Sequence, residues 1–361
     1  MKHEITQMRI YRAESRLSRP IADSTHSISD IAFYVVELET AQGVKGQGYL
    51  LSFHYSPGAI EGALKDIRRF LLNGSYAANE TLRLKADYEG EAEYFGNIGL
   101  QRWAQSVVNT AMWDVWGKIC GQPIHRLLGS NGRKIPVYGS GGWLSYSDEE
   151  LLDEVKGYAA RGFTAVKIKV GSPDIERDIG RIAKAREALG PHVRIMMDAN
   201  QGMSVASAIA LSGAAGKMGI TWFEEPLINT DFAGYEIIRL KTGISLAMGE
   251  REYDVSALKA LIGRNALDLW QPDLMRIGGV EAWRDSAALA AAYHVPCLPH
   301  YYKDYDVPLL ATVSNPFGAE SFDWIDGIID NVMVIENGYA LQREGPGWGF
   351  SFLNEYLTGL S

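Results

Sequence analysis

The sequence predicts an α/β protein: a modified (β/α)8 barrel of the TIM type joined to an α+β capping domain. Three observations favour this fold. The first third of the chain contains strand-like and then helical patterns that do not alternate. The remainder alternates short apolar runs with helical patterns, roughly one unit per 25 residues. Seven consecutive runs also end on an ionisable residue, which is typical of a barrel whose chemistry lies at the carboxyl ends of its strands.

The capping domain is predicted from the first part of the chain. Residues 5–55 have strand composition, and Gly43, Gly46 and Gly48 mark turns. Residues 57–130 have helical patterns, of which the apolar stripe in residues 104–118 is the clearest. We predict that residues 1–130 form this domain and that the C-terminal tail, residues 325–361, contributes to it.

The barrel is predicted from eight apolar runs within residues 131–324. Strand, helix and strand at this spacing indicate a parallel sheet, and eight such units indicate a closed barrel. An open doubly wound sheet is the alternative, but the sequence lacks the glycine-rich phosphate loop that usually follows the first strand of such a sheet. The eight runs are residues 135–138, 165–170, 194–198, 220–224, 244–248, 267–270, 295–298 and 317–320.

Composition narrows the class of partner and the compartment. The chain has 361 residues and a net charge of −9 at pH 7, which favours neither nucleic acid nor an anionic membrane as a partner. Its two cysteines are too few for a disulfide framework, so we expect a cytoplasmic protein. The first residues lack the apolar core of a signal peptide, and no apolar run approaches the ~20 residues that cross a bilayer.

Three carboxylates end three successive predicted strands. We expect Asp198, Glu224 and Glu250 to converge at one end of the barrel. Three carboxylates that leave room for water and substrate oxygens suit Mg²⁺. The alternative is that one carboxylate forms a salt bridge and the other two are solvated at the rim. Glu225 is ambiguous, because strand alternation lets only one of Glu224 and Glu225 point inward.

Two lysines, Lys167 and Lys169, end the second predicted strand. They lie two residues apart, so both should face the same side of the strand. With a divalent cation near, each should disfavour protonation of the other, and this would make a lysine a usable base near neutral pH. Two surface lysines are the alternative, but Val166, Ile168 and Val170 already form the side that faces the helices.

A histidine and a carboxylate end two neighbouring strands. Asp273 would accept a hydrogen bond from one ring nitrogen of His300 and leave the other nitrogen free as an acid or base. A purely structural histidine is the alternative. Glu320, which ends the last strand, would either donate a hydrogen bond to a substrate carboxylate, if protonated, or lie at the rim. Together these groups suit removal of the weakly acidic proton next to a carboxylate, with fixed positive charge stabilising the product.

The order and spacing of these residues resemble those of the mandelate racemase group of the enolase superfamily. The resemblance runs through positions 169, 198, 224, 250, 273, 300 and 320 and covers nearly the whole chain. It implies that Asp198, Glu224 and Glu250 bind one Mg²⁺ per site. It also implies that Lys169 is one base and that Lys167, beside it, contacts the substrate carboxylate.

The same resemblance assigns the remaining groups. It implies that His300, oriented by Asp273, is the opposite acid or base and that Glu320 hydrogen-bonds the substrate carboxylate. Asn200 and Ser140 lie where relatives contact the metal-bound substrate. The expected partner is a small-molecule carboxylate, with neither nucleic acid nor a membrane, and the expected assembly is a homo-oligomer.

Two cap loops, residues 21–29 and 51–57, are expected to line the substrate pocket. Mandelate racemase lines this lid with apolar residues, whereas these loops are rich in hydroxyl groups and contain His26, His54 and Tyr55. Buried polar groups need partners, so the pattern favours a polyhydroxylated substrate, unless these loop residues are simply solvated. Lys303, in the polar run after His300, is expected near the same substrate.

The resemblance leaves the reaction open. Residues 137–144 and 169–171 are similar to galactarate/talarate dehydratases, so we predict dehydration of an acid sugar, an aldonate or aldarate, to a 2-keto-3-deoxy acid. The alternatives are a racemase, epimerase or cycloisomerase acting on a 2-hydroxy acid, and a metal-containing binding protein without catalysis.

Overall fold

The computed structural model describes residues 3–360; residues 1, 2 and 361, which the predicted domains also include, lie outside the described part. The N-terminal region contains strands and then helices, as expected. Its strands are β1 (Ile5–Ser15), β2 (Ile21–Ala22), β3 (Ser27–Ile28), β4 (Ile31–Thr40) and β5 (Lys45–Leu51). Its helices are α1 (Pro57–Asn73), α2 (Thr81–Ala92), α3 (Leu100–Cys120) and α4 (Ile124–Leu127), and a 3-10 turn spans Glu93–Phe95.

The long helix α3 packs directly on the N-terminal sheet. Strands β1, β4 and β5 are antiparallel neighbours in that order. Gly46 and Gly48 of β5 lie against the backbone of α3, where a Cβ atom on either glycine would meet α3 at Val115 or Val107. These glycines, which the sequence suggested as turn residues, instead allow the helix to approach the sheet closely.

The barrel strands lie where the apolar runs predicted them, within a few residues. They are β6 (Ile135–Gly141), β7 (Ala165–Lys169), β8 (Arg194–Asp198), β9 (Ile220–Glu224), β10 (Leu246–Met248), β11 (Leu269–Trp270) and β12 (Ala319–Ser321). Helices separate them: α5 (Asp148–Ala160), α6 (Ile175–Leu189), α7 (Val205–Lys217), α8 (Phe232–Thr242), α9 (Val255–Gly263), α10 (Leu274–Ile277), α11 (Val280–Ala292) and α12 (Lys303–Leu310). Strands β6 to β11 are parallel neighbours in chain order, and β12 pairs in parallel with β6.

The seventh predicted strand, residues 295–298, closes the barrel through single bridges. Cys297 bridges Trp270 of β11 on one side and Pro316, just before β12, on the other. Pro296 and Pro299 flank this bridge and have no backbone N–H to donate, which explains why a regular strand does not form. The predicted barrel with an α+β cap is thereby confirmed.

A cluster of side chains fills the barrel below its carboxyl end. Each of the eight strand segments contributes one member, and all but Phe317 are fully buried. The members are Tyr138, Ala165, Met196, Trp222, Ala247, Leu269, Leu298 and Phe317. The barrel interior is therefore a packed core, and the ionisable groups lie above it.

The C-terminal tail contacts both sheets. The hairpin β13 (Ile335–Glu336) and β14 (Tyr339–Ala340) pairs with the start of β6, and β15 (Thr358–Leu360) pairs with β1. In the described part of the chain, β12 is followed by 3-10 turns, the hairpin and β15 rather than by an α-helix, so the last βα unit of the barrel is modified. The predicted domain boundary near residue 130 stays a prediction. Between residues 3 and 360, no helix is both long and apolar enough to cross a membrane.

Candidate active site

Strand register brings the predicted ionisable residues together. Lys169 at the end of β7 lies opposite Asp198 at the end of β8, and Asp198 lies opposite Glu224 at the end of β9. Glu250 follows β10 two residues beyond its end, and all three carboxylates are almost fully buried. Parallel strands in register thus produce a row of three carboxylates, Asp198–Glu224–Glu250, at one end of the barrel.

The two lysines contact the first part of this row. Lys167 Nζ lies 2.6 Å from Glu224 Oε1 and 3.4 Å from Asp198 Oδ2, and it also lies 2.6 Å from Glu320 Oε1. Lys169 Nζ lies 2.6 Å from Asp198 Oδ2. Both lysines face the barrel interior and are buried. This orientation agrees with the expectation from their spacing.

Neighbouring carboxylates dominate the pKa values of the two lysines. Burial alone would lower the pKa of Lys169, but the carboxylate of Asp198 outweighs it and raises that pKa above its usual value. Burial likewise opposes protonation of Lys167, yet Glu224 and Glu320 hold its pKa well above the usual value. Lys167 lowers the pKa of Lys169 as expected, but by less than Asp198 raises it. The expected effect of a nearby divalent cation on the two lysines stays a prediction.

His300 and Asp273 form the predicted pair at the other end of the row. His300 Nδ1 lies 2.8 Å from Asp273 Oδ2, and its Nε2 lies 3.3 Å from Glu250 Oε2. The other oxygen of Asp273 accepts hydrogen bonds from the backbone N–H groups of Met275 and Arg276, which caps α10 and fixes the carboxylate. Burial would lower the pKa of His300, but Glu250 and Asp273 raise it.

Glu320 joins the two sides of the site. Its Oε1 pairs with Lys167, and its Oε2 accepts a hydrogen bond from the backbone N–H of Tyr301 at 3.0 Å. Burial would raise the pKa of Glu320, but Lys167 and His300 lower it to about 2. Lys167 and the backbone of Tyr301 thus each donate to one oxygen of Glu320, and its hydrogen bond to a substrate carboxylate stays a prediction.

Glu224 and Glu225 are both buried, but they face different partners. Glu224 points into the barrel and accepts from Gln271 Nε2 at 2.7 Å. Glu225 leaves the strand with a φ of 35°, and its carboxylate accepts from Arg251 Nε at 3.0 Å. Strand alternation does not continue through a left-handed residue, which explains why neither side chain points outward. Arg251, which the sequence interpretation did not include, also lies 3.4 Å from Glu250.

The donor chemistry of the row fits a hard divalent cation. Burial raises the pKa of Glu224 to about 8 against the effect of Lys167, with Asp198, Glu320 and Glu250 adding to the rise. Such an accumulation of buried carboxylates calls for positive charge, and Mg²⁺ prefers oxygen ligands. Among residues 3–360, no three His, Cys, Asp or Glu side chains already converge on one point, because lysine, arginine and histidine side chains balance the carboxylates.

A cavity of about 400 Å³ opens above the row, between the barrel and the cap loops. Lys169, Glu250, Asp273 and His300 line its floor. Asn200 also lines it, and in the described part of the chain the buried Oδ1 of Asn200 finds no hydrogen-bond partner. The cavity therefore gives a small molecule access to both predicted acid–base groups.

One wall of the cavity is aromatic. Four rings surround the indole of Trp324, with ring centroids between 4.3 and 6.2 Å from it. These rings belong to Phe53, Trp143, Tyr301 and Phe322. Lys169 Nζ lies 5.2 Å from the centre of the Trp143 ring, so this wall adjoins the lysine.

The hydroxyl groups of the lid are mostly engaged within the protein. Ser24 Oγ donates to the backbone oxygen of Ala199, and Ser52 Oγ lies 3.3 Å from the backbone oxygen of Ala32. Tyr55 lines the cavity, but its hydroxyl donates to the Ser27 backbone oxygen at 3.0 Å. The expectation that these hydroxyls await a polyhydroxylated substrate is therefore weakened, because their hydrogen bonds are made internally.

The structure brings some predicted substrate residues to the cavity and not others. His26 lines it, whereas His54 is exposed and lies outside the lining, with its ring tilted against that of Tyr55. Lys303 begins α12 and is buried against Asp326, 3.1 Å away, so it is a structural ion pair rather than a substrate contact. Ser140 is buried on β6, in register with Lys167 and away from the cavity lining.

Fold and site place the molecule among (β/α)-barrel proteins that carry acid–base groups at the carboxyl end of the barrel. Two family models narrow this class: "Mandelate racemase / muconate lactonizing enzyme, N-terminal domain" matches residues 5–129, and "Enolase C-terminal domain-like" matches residues 150–356. The chain therefore belongs to the mandelate racemase/muconate lactonizing enzyme family of the enolase superfamily. The predicted family is confirmed.

Curated relatives of the chain are enzymes of two kinds. It is 32% identical to D-galactarolactone cycloisomerase of Agrobacterium fabrum, with 98% of each chain covered. It is 30% identical to 3,6-anhydro-alpha-L-galactonate cycloisomerase of Streptomyces coelicolor, with 91% of each covered. It is 27% identical to L-talarate/galactarate dehydratase of Salmonella typhimurium, covering 93% of this chain and 85% of that one. Lyases and isomerases are thus both represented.

Solved relatives contain magnesium. A racemase from Streptomyces coelicolor with bound magnesium matches with a TM-score of 0.93 and 28% identity, over 98% of this chain and 100% of that one. An L-talarate dehydratase from a Polaromonas species, complexed with Mg and L-glucarate, matches with a TM-score of 0.90 and 26% identity, over 99% of each chain. The prediction of Mg²⁺ as the cofactor of this family is confirmed.

Proposed function

We propose that the protein removes the proton α to the carboxylate of a small acid and then expels the β-oxygen, as in the dehydration of an acid sugar to a 2-keto-3-deoxy acid. One observation carries the proposal. Lys169 and the His300–Asp273 pair stand at the two ends of one row of carboxylates, and both ends line the same cavity. A substrate carboxylate held above the row would place its α-carbon between the two groups.

The chain's own residues divide the work between them. Lys169 or His300 accepts the α-proton, depending on the configuration of the substrate, and Asp273 holds the imidazole through Nδ1. Lys167 is buried between Glu224 and Glu320 and offers its ammonium to the substrate carboxylate. Asp198, Glu224 and Glu250 would hold Mg²⁺, which would supply positive charge to stabilise the negative charge that develops on the substrate carboxylate.

Cycloisomerisation of a ring-shaped sugar acid is the second candidate. The aromatic wall around Trp324 favours it, because a ring presents C–H faces that pack on aromatic side chains, and few lid hydroxyls are free to bind an open polyol. The two relatives with 30% and 32% identity are cycloisomerases. In this reaction the departing β-oxygen remains attached to the product, so both candidates share the same first step.

The proposed function is tested by a screen of aldonates, aldarates and their lactones with Mg²⁺. Formation of 2-keto acids is followed with semicarbazide. We expect at least one acid to be converted and the conversion to disappear with EDTA or with His300→Asn. His192→Asn is the control, since His192 is an exposed surface histidine. A conversion that survives His300→Asn unchanged would contradict the proposal.

A further inference from the structure

The backbone directly after His300 forms two consecutive three-residue turns. Tyr301 has a φ of 66°, and the backbone N–H of Tyr302 donates to the backbone oxygen of His300 at 2.8 Å. Tyr302 has a φ of −77° and a ψ of 58°, and the N–H of Lys303 donates to the backbone oxygen of Tyr301 at 2.7 Å. A positive φ in a bulky aromatic residue is strained, so neighbouring contacts must hold the turn in place.

Two contacts with distant segments hold this turn. The backbone N–H of Tyr301 donates to Glu320 Oε2 at 3.0 Å. The hydroxyl of Tyr302, a side chain that is almost fully buried, accepts from the backbone N–H of Leu51 at 3.1 Å. Leu51 is the last residue of β5 and the first residue of the second cap loop. The Tyr302 hydroxyl therefore ties the segment that carries His300 to the cap.

The partner of Tyr302 is the outer edge of the N-terminal sheet. Strand β5 lies at the edge of that sheet, so its outward N–H groups need acceptors other than a strand. Side chains of α3 and α12 and the residue before α12 accept from alternate positions: Asp114 from Gln47 at 2.8 Å, Tyr305 from Tyr49 at 2.9 Å and Tyr302 from Leu51 at 3.1 Å. Two tyrosine hydroxyls, three residues apart in the chain, thus bind the same edge.

The two tyrosines make the same kind of bond, but only Tyr302 adjoins His300. Both rings pack on Tyr49, with centroids 5.5 and 4.9 Å from that ring. Loss of either hydroxyl would leave one N–H of β5 without its acceptor, so both losses should cost similar stability. Tyr305 is fully buried outside the cavity lining, and it lies five residues beyond His300. Only loss of the Tyr302 hydroxyl should release the strained turn beside the histidine.

His300 needs its backbone fixed as well as its ring. Asp273 orients the ring through Nδ1, but a bond at the imidazole does not fix the backbone from which the side chain extends. The turn at Tyr302 supplies that constraint, because its N–H binds the backbone oxygen of His300. On the basis of the proposed function, in which His300 exchanges a proton with the substrate, we propose that Tyr302 is a positioning residue. Its hydroxyl, bound to the edge of the cap sheet, keeps His300 within reach of the reacting carbon.

Tyr302→Phe tests this role, with Tyr305→Phe as the matched control. Each variant removes one hydroxyl and leaves one N–H of β5 without its acceptor. For an acid that the wild type converts with Mg²⁺, we expect kcat of Tyr302→Phe to fall about 10- to 100-fold with little change in KM, since a small misplacement of a reacting group has effects of this size. Tyr305→Phe should keep kcat near the wild-type value. Thermal unfolding should show similar losses of stability in both variants.

A double-mutant cycle separates an effect on His300 from a general loss of stability. The substrate is deuterated at the α-carbon, and release of the label is measured at high enzyme concentration in His300→Asn with and without Tyr302→Phe. The second substitution should not slow release further, because the imidazole that Tyr302 positions is already absent. The same Tyr302→Phe substitution in Tyr305→Phe should still lower kcat as it does in the wild type.

Three outcomes would overturn the assignment of Tyr302. Equal losses of kcat in Tyr302→Phe and Tyr305→Phe would leave the hydroxyl a structural role only. A further loss of label release on adding Tyr302→Phe to His300→Asn would show that it does not act through the histidine. A rise in KM without a fall in kcat would place the hydroxyl at the substrate instead. A wild type that converts no acid and releases no label would defeat the proposed function itself.

Discussion

The carboxyl end of the barrel and the two cap loops above it enclose one cavity but are built differently. At the barrel end, strand register sets each ionisable side chain opposite the next, as with Lys169, Asp198 and Glu224. In the lid, side chains bond to their own loop or to backbone oxygens of the barrel, as Asp23 and Ser24 do. Positions at the barrel end follow from chain order, whereas most of those in the lid depend on contacts between segments that are distant in the chain.

Metal removal should have the largest effect and should act only through the barrel end. EDTA is expected to abolish turnover, and added Mg²⁺ to restore it, because the divalent cation would supply most of the positive charge that stabilises the enediolate. Mg²⁺ should also raise the unfolding temperature of the wild type, since it binds the folded state, and should do so far less in Glu250→Gln. Equal stabilisation of both proteins would remove Glu250 from the proposed metal site.

Substitution of Lys169, at one end of the carboxylate row, should have the second-largest effect. Lys169→Ala is expected to lower kcat by about 10²- to 10⁴-fold, the usual contribution of a positioned acid or base. Steady-state kinetics would measure it, with Lys184→Ala, which removes an exposed lysine of α6, as the control. Activity within tenfold of the wild type would show that Lys169 is not the base for that substrate.

Within the lid, Asp23 should affect stability in a pH-dependent way. Its pKa is lowered to about 2 in the folded protein, so its stabilisation is present above pH 4 and is lost as the pH falls from 4 toward 2. Asp23→Asn should therefore lower the free energy of unfolding by about 2 kcal/mol at pH 6. Urea unfolding should find a smaller difference at pH 3, and a difference independent of pH would contradict this account.

The smallest effect is expected at the aromatic wall. Trp324→Ala should raise KM for a lactone about fivefold, which corresponds to about 1 kcal/mol of lost ring packing. The KM for the matching open-chain acid should change less, and Trp324→Phe should restore most of the loss. Equal effects on both substrates would remove the wall from substrate selection and would favour the open-chain dehydratase.

Much of the barrel could be predicted from the sequence because its pattern is periodic. The strands from β6 to β9 begin where their apolar runs begin, and the ionisable ends of the runs meet at the site. The exception is the run around Cys297. Two prolines there lack a backbone N–H, so the segment forms single bridges instead of a regular strand. The cluster of side chains inside the barrel also follows from the alternation of side chains along each strand, which places Tyr138 and Trp222 on the inward face.

The rest could not be predicted because it depends on contacts between distant segments. Neither the hydrogen bond of Tyr55 to Ser27 nor the ion pair of Lys303 with Asp326 leaves a periodic signal. Arg251 had a usable signal, since it directly follows Glu250, and Asp23 had one in its three-residue spacing from His26. The lysine pKa values required the actual distances to Asp198 and Glu224.

The central claim is that the bond broken first joins hydrogen to the α-carbon, and label release tests it most directly. The acids of the screen, deuterated at that carbon, are incubated in water with Mg²⁺ and the wild type, Lys169→Ala or His300→Asn, and NMR follows deuterium at the α-carbon. The account predicts that the wild type releases the label whether the product is a keto acid, a ring-opened acid or an epimer, and that for each acid at least one of the two variants releases it far more slowly. Turnover with the label retained at the α-carbon, or release unchanged in both variants, would contradict it.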